Sequence, residues 1–277
     1  MPLFNKVAII GVGLIGGSLG LDIKKRGLAH EVVGVSRHKK SIDLALKRRA
    51  IDRGSLSLSI IKGADLVIFA APVNTIINLR KAINKYISKS CIVTDVGGTK
   101  NAISNSLEGV FPAYIGSHPL AGSEKRGIAN ASLGVFDGSL CVLTLGKHKV
   151  SSASLKKIKE MWHKLGARTI ILTPKDHDKY LAFASHLPHV IAYSLIDSVP
   201  KKALKFSAKG LKDTTRIASS DPLLWSDILL TNSGNLLMAI NSFENSLKKI
   251  KSAVKDNNAK ALRKILSQSK TKRDLVE

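Results

Sequence analysis

In its first half the chain alternates short apolar runs with stretches that carry apolar residues at helical spacing. Lys6–Gly11 (KVAIIG), Glu31–Val35 (EVVGV), Asp65–Ala70 (DLVIFA) and Cys91–Asp95 (CIVTD) predict strands. Gly16–Arg26 and Thr75–Ile87 predict helices between them. Tyr114–Gly116, Leu140–Leu145 and Arg168–Leu172 extend the set of strands. Strand–helix alternation of this kind is the pattern of a parallel, doubly wound sheet. The texture changes at Thr173-Pro174, where a good N-cap precedes a residue suited to the first helical position. Asp221-Pro222 repeats that signature, and Phe243, Leu247, Ile250 and Val254 give the last long helix one apolar face. Two domains are expected, residues 1–173 and an all-helical 174–277, with no flexible linker between them.

Composition narrows the class. With 277 residues, 44% hydrophobic and 23% charged, the chain is long enough to bury a core and reads as soluble and globular. Cys91 and Cys141 lie far apart in apolar runs, in neither a metal nor a redox spacing, which suits a reduced, cytoplasmic protein. Glycines interrupt the apolar segment Val7–Leu21, so it is not expected to be a leader, and no run is long enough to span a bilayer. The formal charge of +24 raises the question of nucleic acid. Of the 44 basic residues, however, 33 are Lys and 11 Arg, dispersed and without interleaved aromatics. No nucleic-acid partner is expected; a positive field that collects small anions is.

Gly11-Val12-Gly13-Leu14-Ile15-Gly16 follows the first strand and opens the first helix. In that setting GxGxxG is a dinucleotide fingerprint: Gly11 allows the turn, Gly13 lets backbone approach a pyrophosphate, and Gly16 lets helix pack on strand. The fold class is therefore α/β, a Rossmann-type doubly wound sheet domain followed by an all-helical one. Leu14 and Ile15 join the cofactor-binding set, as do Ala71, Pro72 and Asp95 at the ends of later strands. Past the second strand, where an NAD site presents a carboxylate, the chain reads Ser36-Arg37-His38. Ser36 can donate to a 2′-phosphate and Arg37 can pair with it, so NADP is preferred and NAD possible.

Ser117-His118-Pro119-Leu120-Ala121-Gly122-Ser123-Glu124 reads as a small-residue loop holding a histidine, the side chain able to take a proton near neutral pH. This segment, with GVGLIGGS at Gly11–Ser18, DVGGTK at Asp95–Lys100, SHLPH at Ser185–His189 and DTTRIASSDPLLW at Asp213–Trp225, resembles the prephenate/arogenate dehydrogenase family of tyrosine biosynthesis. The resemblance implies an NAD(P)-dependent oxidative decarboxylation in which His118 takes the ring-hydroxyl proton. It implies further that Arg216 binds a substrate carboxylate and that His189 lies on the substrate side. Glu124, Lys212 and Asp213 would line or gate the site, Trp225 would lie in the pocket, and the helical domain would form a homodimer. His186, three residues before His189, has a structural role as its simplest reading.

The family's turn usually reads Asp-x-x-Ser, with the serine beside the histidine. Here that slot is Gly98, followed by Thr99, which leaves His118 to be oriented by Thr99, water or the backbone. Prephenate is the favoured substrate, with arogenate or both as the alternative. A β-hydroxyacid dehydrogenase would share the fold but has no use for SHLPH or TRIA. A non-enzymatic NADP sensor or nucleic-acid binder would make the histidines dispensable. No metal is expected.

Overall fold

The computed structural model describes residues 1–276. Its backbone packs as two compact units, Met1–Asn232 and a second that begins at Ser233. The first unit holds eight strands: β1 (Phe4–Ile10), β2 (Ala29–Val35), β3 (Arg53–Ser55), β4 (Leu66–Phe69), β5 (Ile92–Asp95), β6 (Tyr114–Pro119), β7 (Leu140–Thr144) and β8 (Arg168–Leu172). Helices α1 (Leu14–Lys25), α2 (Lys39–Lys47), α3 (Val73–Asn84), α4 (Asn101–Leu107) and α5 (Ser152–Lys164) connect them. After the sheet come α6 (Pro174–Leu181), α7 (Leu187–Ser198), α8 (Lys209–Thr215) and α9 (Pro222–Thr231). The second unit is a helical pair, α10 (Ser233–Lys255) and α11 (Ala259–Arg273). Phe243, Leu247, Ile250 and Val254 lie on α10, so the helix expected to be the last long one is followed by another.

The sheet order is β3-β2-β1-β4-β5-β6-β7-β8. All neighbours pair in parallel except β6 and β7, which run antiparallel. Strands β4 and β5 are buried along their whole length, which explains their unbroken apolar runs. Two clusters, one on each face, form the core: one around Val7, Leu19, Trp162 and Phe136, the other around Val33, Phe69, Ile103 and Tyr114. Both predicted N-caps are present. Thr173 Oγ1 accepts from the Asp176 N–H at 3.1 Å, and Asp221 Oδ1 from the Leu223 N–H at 3.0 Å.

Two features depart from the expected pattern. Strand β3 is three residues long at the sheet edge, too short to leave a periodic signature. His118 lies within strand β6 and not in a loop, opposite Val142 of β7. Strand β5 ends at Asp95, opposite Gly116, so β6 carries His118 beyond its parallel neighbour, at the carboxyl edge of the sheet. That edge is where ligands bind in doubly wound folds.

Candidate active site

Sequence order reverses between β1 and β4, and the glycine turn sits at that switch. Gly11 has φ +106°, and a Cβ there would strike the Ala70 carbonyl of the β4–α3 turn. A Cβ on Gly16 would strike the Gly11 carbonyl, whereas Gly13 faces open space. Helix α1 begins without a side-chain cap and without an acidic residue in its first turn. Its leading N–H groups and positive dipole end therefore suit a pyrophosphate. Leu14 and Ile15, partly buried, open that helix, while Ala71 and Pro72 close the turn across the switch. Beyond β2, Ser36 is partly buried and Arg37 and His38 are exposed. Ser36 Oγ accepts from the His38 N–H at 3.3 Å, and Arg37 forms no ion pair among the described residues.

Asp95 ends β5, as expected, but its side chain turns inward. It is fully buried, and its carboxylate is taken up by the Lys100 ammonium, by the Tyr114 hydroxyl at 2.7 Å and by the Gly97 N–H at 2.8 Å. Lys100, five residues on, folds back into the core and is itself fully buried. The Asp95 side chain thus shapes the turn after β5 from within. Thr99 likewise makes no hydrogen bond to His118 among the described residues: it is buried and bonded to Thr231 of α9 at 3.0 Å. A serine at position 98 would require a neighbouring side chain to shift. A Cβ on Gly98 would lie 2.9 Å from Cδ1 of Ile228, the α9 side chain packed over that turn.

His118 is oriented instead by two residues that sequence reading did not select. Its Nδ1 lies 2.8 Å from Nε2 of His177 on α6, and His177 Nδ1 lies 2.8 Å from Oδ1 of Asp178. Asp178 also accepts the Lys100 N–H at 2.7 Å and the Asn101 N–H at 2.9 Å, at the start of α4. The available signal was an adjacent His-Asp pair one turn inside a capped helix, which gives no hint of a partner 59 positions away. Among the described residues, His118 Nε2 has no protein partner.

The other expected substrate residues cluster on the helical side. The Arg216 guanidinium pairs with Glu124, Nη1 to Oε2 at 2.9 Å. Two residues on, Arg126 pairs with Asp221 at 2.5 Å, so the segment after β6 is tied twice to the α8–α9 region. His189 stacks on Trp225, with centroids 3.3 Å apart. His186 is buried, with Nδ1 3.1 Å from the side-chain amide of Asn232, which in turn donates to the Asp178 carbonyl at 2.8 Å. Pro188 has no N–H to give residue 184, and the chain answers with a π turn over Ala182–His186 before α7 resumes. Lys212 and Asp213 are exposed on α8 and make no ion pair among the described residues.

Burial sets the electrostatics. Desolvation, then His177, Lys100 and His186, holds His118 well below the ordinary histidine value, so it is neutral at neutral pH. Desolvation also lowers His177, and brings His186 to about 4 and His189 to about 4. Below pH 6.5 the unfolded chain takes up a proton that native His186 refuses. Stability is therefore full above that value and falls as the pH drops towards 4, by up to ~1.4 kcal/mol per pH unit from His186 alone. Denaturant unfolding at pH 7 and pH 5 measures this; equal unfolding free energies would contradict it.

Comparison with known proteins follows the same lines. A family model described as "Prephenate dehydrogenase, nucleotide-binding domain" matches residues 19–182, and one described as "Prephenate dehydrogenase, dimerization domain" matches residues 173–268. The chain is 32% identical to a prephenate dehydrogenase of Bacillus subtilis over 98% of its own length and 76% of that protein. It is 34% identical to a cyclohexadienyl dehydrogenase of Zymomonas mobilis over 92% and 90% of the two chains. The crystal structure of prephenate dehydrogenase from A. aeolicus, in complex with hydroxyphenyl propionate and NAD+, superposes with a TM-score of 0.92. That match has 31% identity and covers 99% of this chain and 98% of the other.

Proposed function

The chain belongs to the prephenate dehydrogenase family, and on that premise we propose that it converts prephenate to 4-hydroxyphenylpyruvate by NAD(P)-dependent oxidative decarboxylation, in tyrosine biosynthesis. The observation that carries this reading is His118, neutral and partly exposed, with Nε2 unpartnered among the described residues, on the same carboxyl edge of the sheet as a glycine turn built for a dinucleotide. The nicotinamide, when bound, supplies the hydride acceptor. His118 Nε2 takes the proton of the substrate's ring hydroxyl as the C4 hydrogen departs as hydride. The carbonyl that forms draws electrons from the ring-carboxylate bond. That bond breaks, CO2 leaves, and the ring becomes aromatic.

Prephenate carries two carboxylates, and Arg216 is the cation best placed to hold one, exchanging Glu124 for the substrate. His189, stacked against Trp225, forms the neighbouring wall, and Lys212 and Asp213 stand at its rim. Residues 174–277 serve as the helical substrate and dimerisation domain. Exposed Phe206, Leu223 and Leu230, at 76%, 77% and 74%, are apolar surface that a homodimer would cover.

NADP is the preferred cofactor in this reading, since the turn after β2 offers Ser36 and Arg37, which has no ion pair among the described residues, in place of a carboxylate. Arg37→Asp is expected to raise the KM for NADP by roughly 10- to 100-fold, the worth of one hydrogen-bonded charge, with NAD little affected. Equal losses with both would refute the contact. The defining experiment measures initial rates with prephenate and arogenate, each with NADP and NAD. Prephenate with NADP is expected to be fastest; no reduced cofactor from either acid would overturn the function.

A further inference from the structure

The arrangement behind His118 has a direction. Both carboxyl oxygens of Asp178 already accept backbone N–H groups, Oδ1 that of Lys100 and Oδ2 that of Asn101, so Asp178 stands as an acceptor towards its neighbours. The hydrogen of the 2.8 Å contact to His177 must then sit on His177 Nδ1. A neutral imidazole with its proton on Nδ1 has a lone pair on Nε2, and that lone pair faces His118 Nδ1 at 2.8 Å. The hydrogen of this second contact therefore sits on His118 Nδ1. His118 Nε2 is left unprotonated, in the form a base requires. In water the neutral imidazole favours the opposite tautomer.

We propose that His177 and Asp178 are positioning residues, a directed pair of hydrogen bonds that fixes His118 in the Nδ1–H tautomer and stabilises the imidazolium it becomes. The proposal rests on His118 being the base. When the substrate O–H bond breaks, an N–H bond forms at His118 Nε2, and the ring gains one positive charge with a proton on each nitrogen. Its Nδ1–H remains bonded to His177, whose own Nδ1–H stays on the Asp178 carboxylate, so the new charge is met by an anion across two bonds. The relay also accounts for the missing serine. With Ile228 packed over Gly98, the orientation of His118 comes from α6, one layer deeper, in place of the turn after β5.

The groups that face the relay set its pH behaviour. His118 faces His177, Lys100 and His186, and His177 faces Asp178, Lys100 and Asp95. Lys100 is ion-paired with Asp95, and Asp178 is the carboxylate in direct contact with the histidine pair.

Two variants and one spectrum test this. His177→Phe keeps the ring's bulk and removes the acceptor; His177→Gln keeps an oxygen near the place of Nε2. His177→Phe is expected to lower kcat by about 10²- to 10³-fold, with the KM for prephenate within about 3-fold of wild type. His177→Gln should keep kcat within about 10-fold. The acid limb of the kcat–pH profile should move in His177→Phe. Nitrogen-15 NMR of histidine-labelled protein should show His118 as Nδ1–H in the wild type and as Nε2–H in His177→Phe. An Nε2–H wild type, or undiminished kcat in His177→Phe, would overturn the relay. If His177→Phe does not fold, the wild-type spectrum and His177→Gln decide. Loss of turnover in a His118 variant alongside normal turnover in His177→Phe would sink the relay alone, whereas normal turnover in the His118 variant would sink the base itself.

Discussion

His118→Asn is expected to lower kcat with prephenate by about 10²- to 10⁴-fold, the usual worth of a positioned general base. Asparagine retains a group that can bond to His177 through its nearer end, and it fits strand β6, so the fold should be little affected. The loss should fall on kcat, because nothing in the phosphate-binding turn or at Arg216 touches this side chain. The pH profile separates a base from a mere spacer. Burial keeps His118 neutral through the neutral range, so wild-type kcat should be flat there and decline only on the acid side, below pH 6.5. The variant should lose that acid limb along with most of its rate. Undiminished turnover in His118→Asn, measured as reduced cofactor formed, would show that the ring-hydroxyl proton goes elsewhere.

The sequence and the structure agree most closely where local chemistry decides. Continuous apolar runs become buried parallel strands because helices cover both faces of the sheet. Thr173-Pro174 and Asp221-Pro222 start helices because a side-chain acceptor followed by a proline satisfies the first turn in any surroundings. Agreement fails where a residue's partner is remote. Asp95 sits at a position from which a carboxylate could reach a cofactor, but whether it does depends on Lys100 folding back beneath it. His177 is not legible in the sequence because a polar residue in a helix's first turns reads as solvated surface. Its burial follows only once β7 and β8 have carried the chain across the sheet edge and α6 has returned over α4. Gly98 lies between these cases. The sequence exposes the absence of a serine, and Ile228 supplies the reason, since a β-carbon at position 98 and that isoleucine compete for one space.

Arg216→Leu should raise the KM for prephenate by roughly 10²-fold, equivalent to losing about 3 kcal/mol of charged hydrogen bonding. Without substrate, the guanidinium is held by Glu124 at 2.9 Å, and its side chain remains 63% exposed. The Glu124 carboxyl is kept below the usual range by its own backbone amide and by Arg216, and so is ionised when substrate arrives. A substrate carboxylate must therefore displace the Glu124 carboxylate from the cation it already occupies. This predicts opposite effects for the two partners. Arg216→Leu removes the cation and raises KM, whereas Glu124→Gln removes the competitor and should leave KM unchanged or lower. Neither change should cost much stability, because an exposed ion pair is worth about 0–1 kcal/mol and Arg126–Asp221 still ties the segment down. KM for the cofactor should not move in either variant. A substrate KM unaltered by Arg216→Leu would mean that the carboxylate is bound elsewhere, with the exposed lysines of the same basic stretch, from Lys201 to Lys212, the next residues to replace.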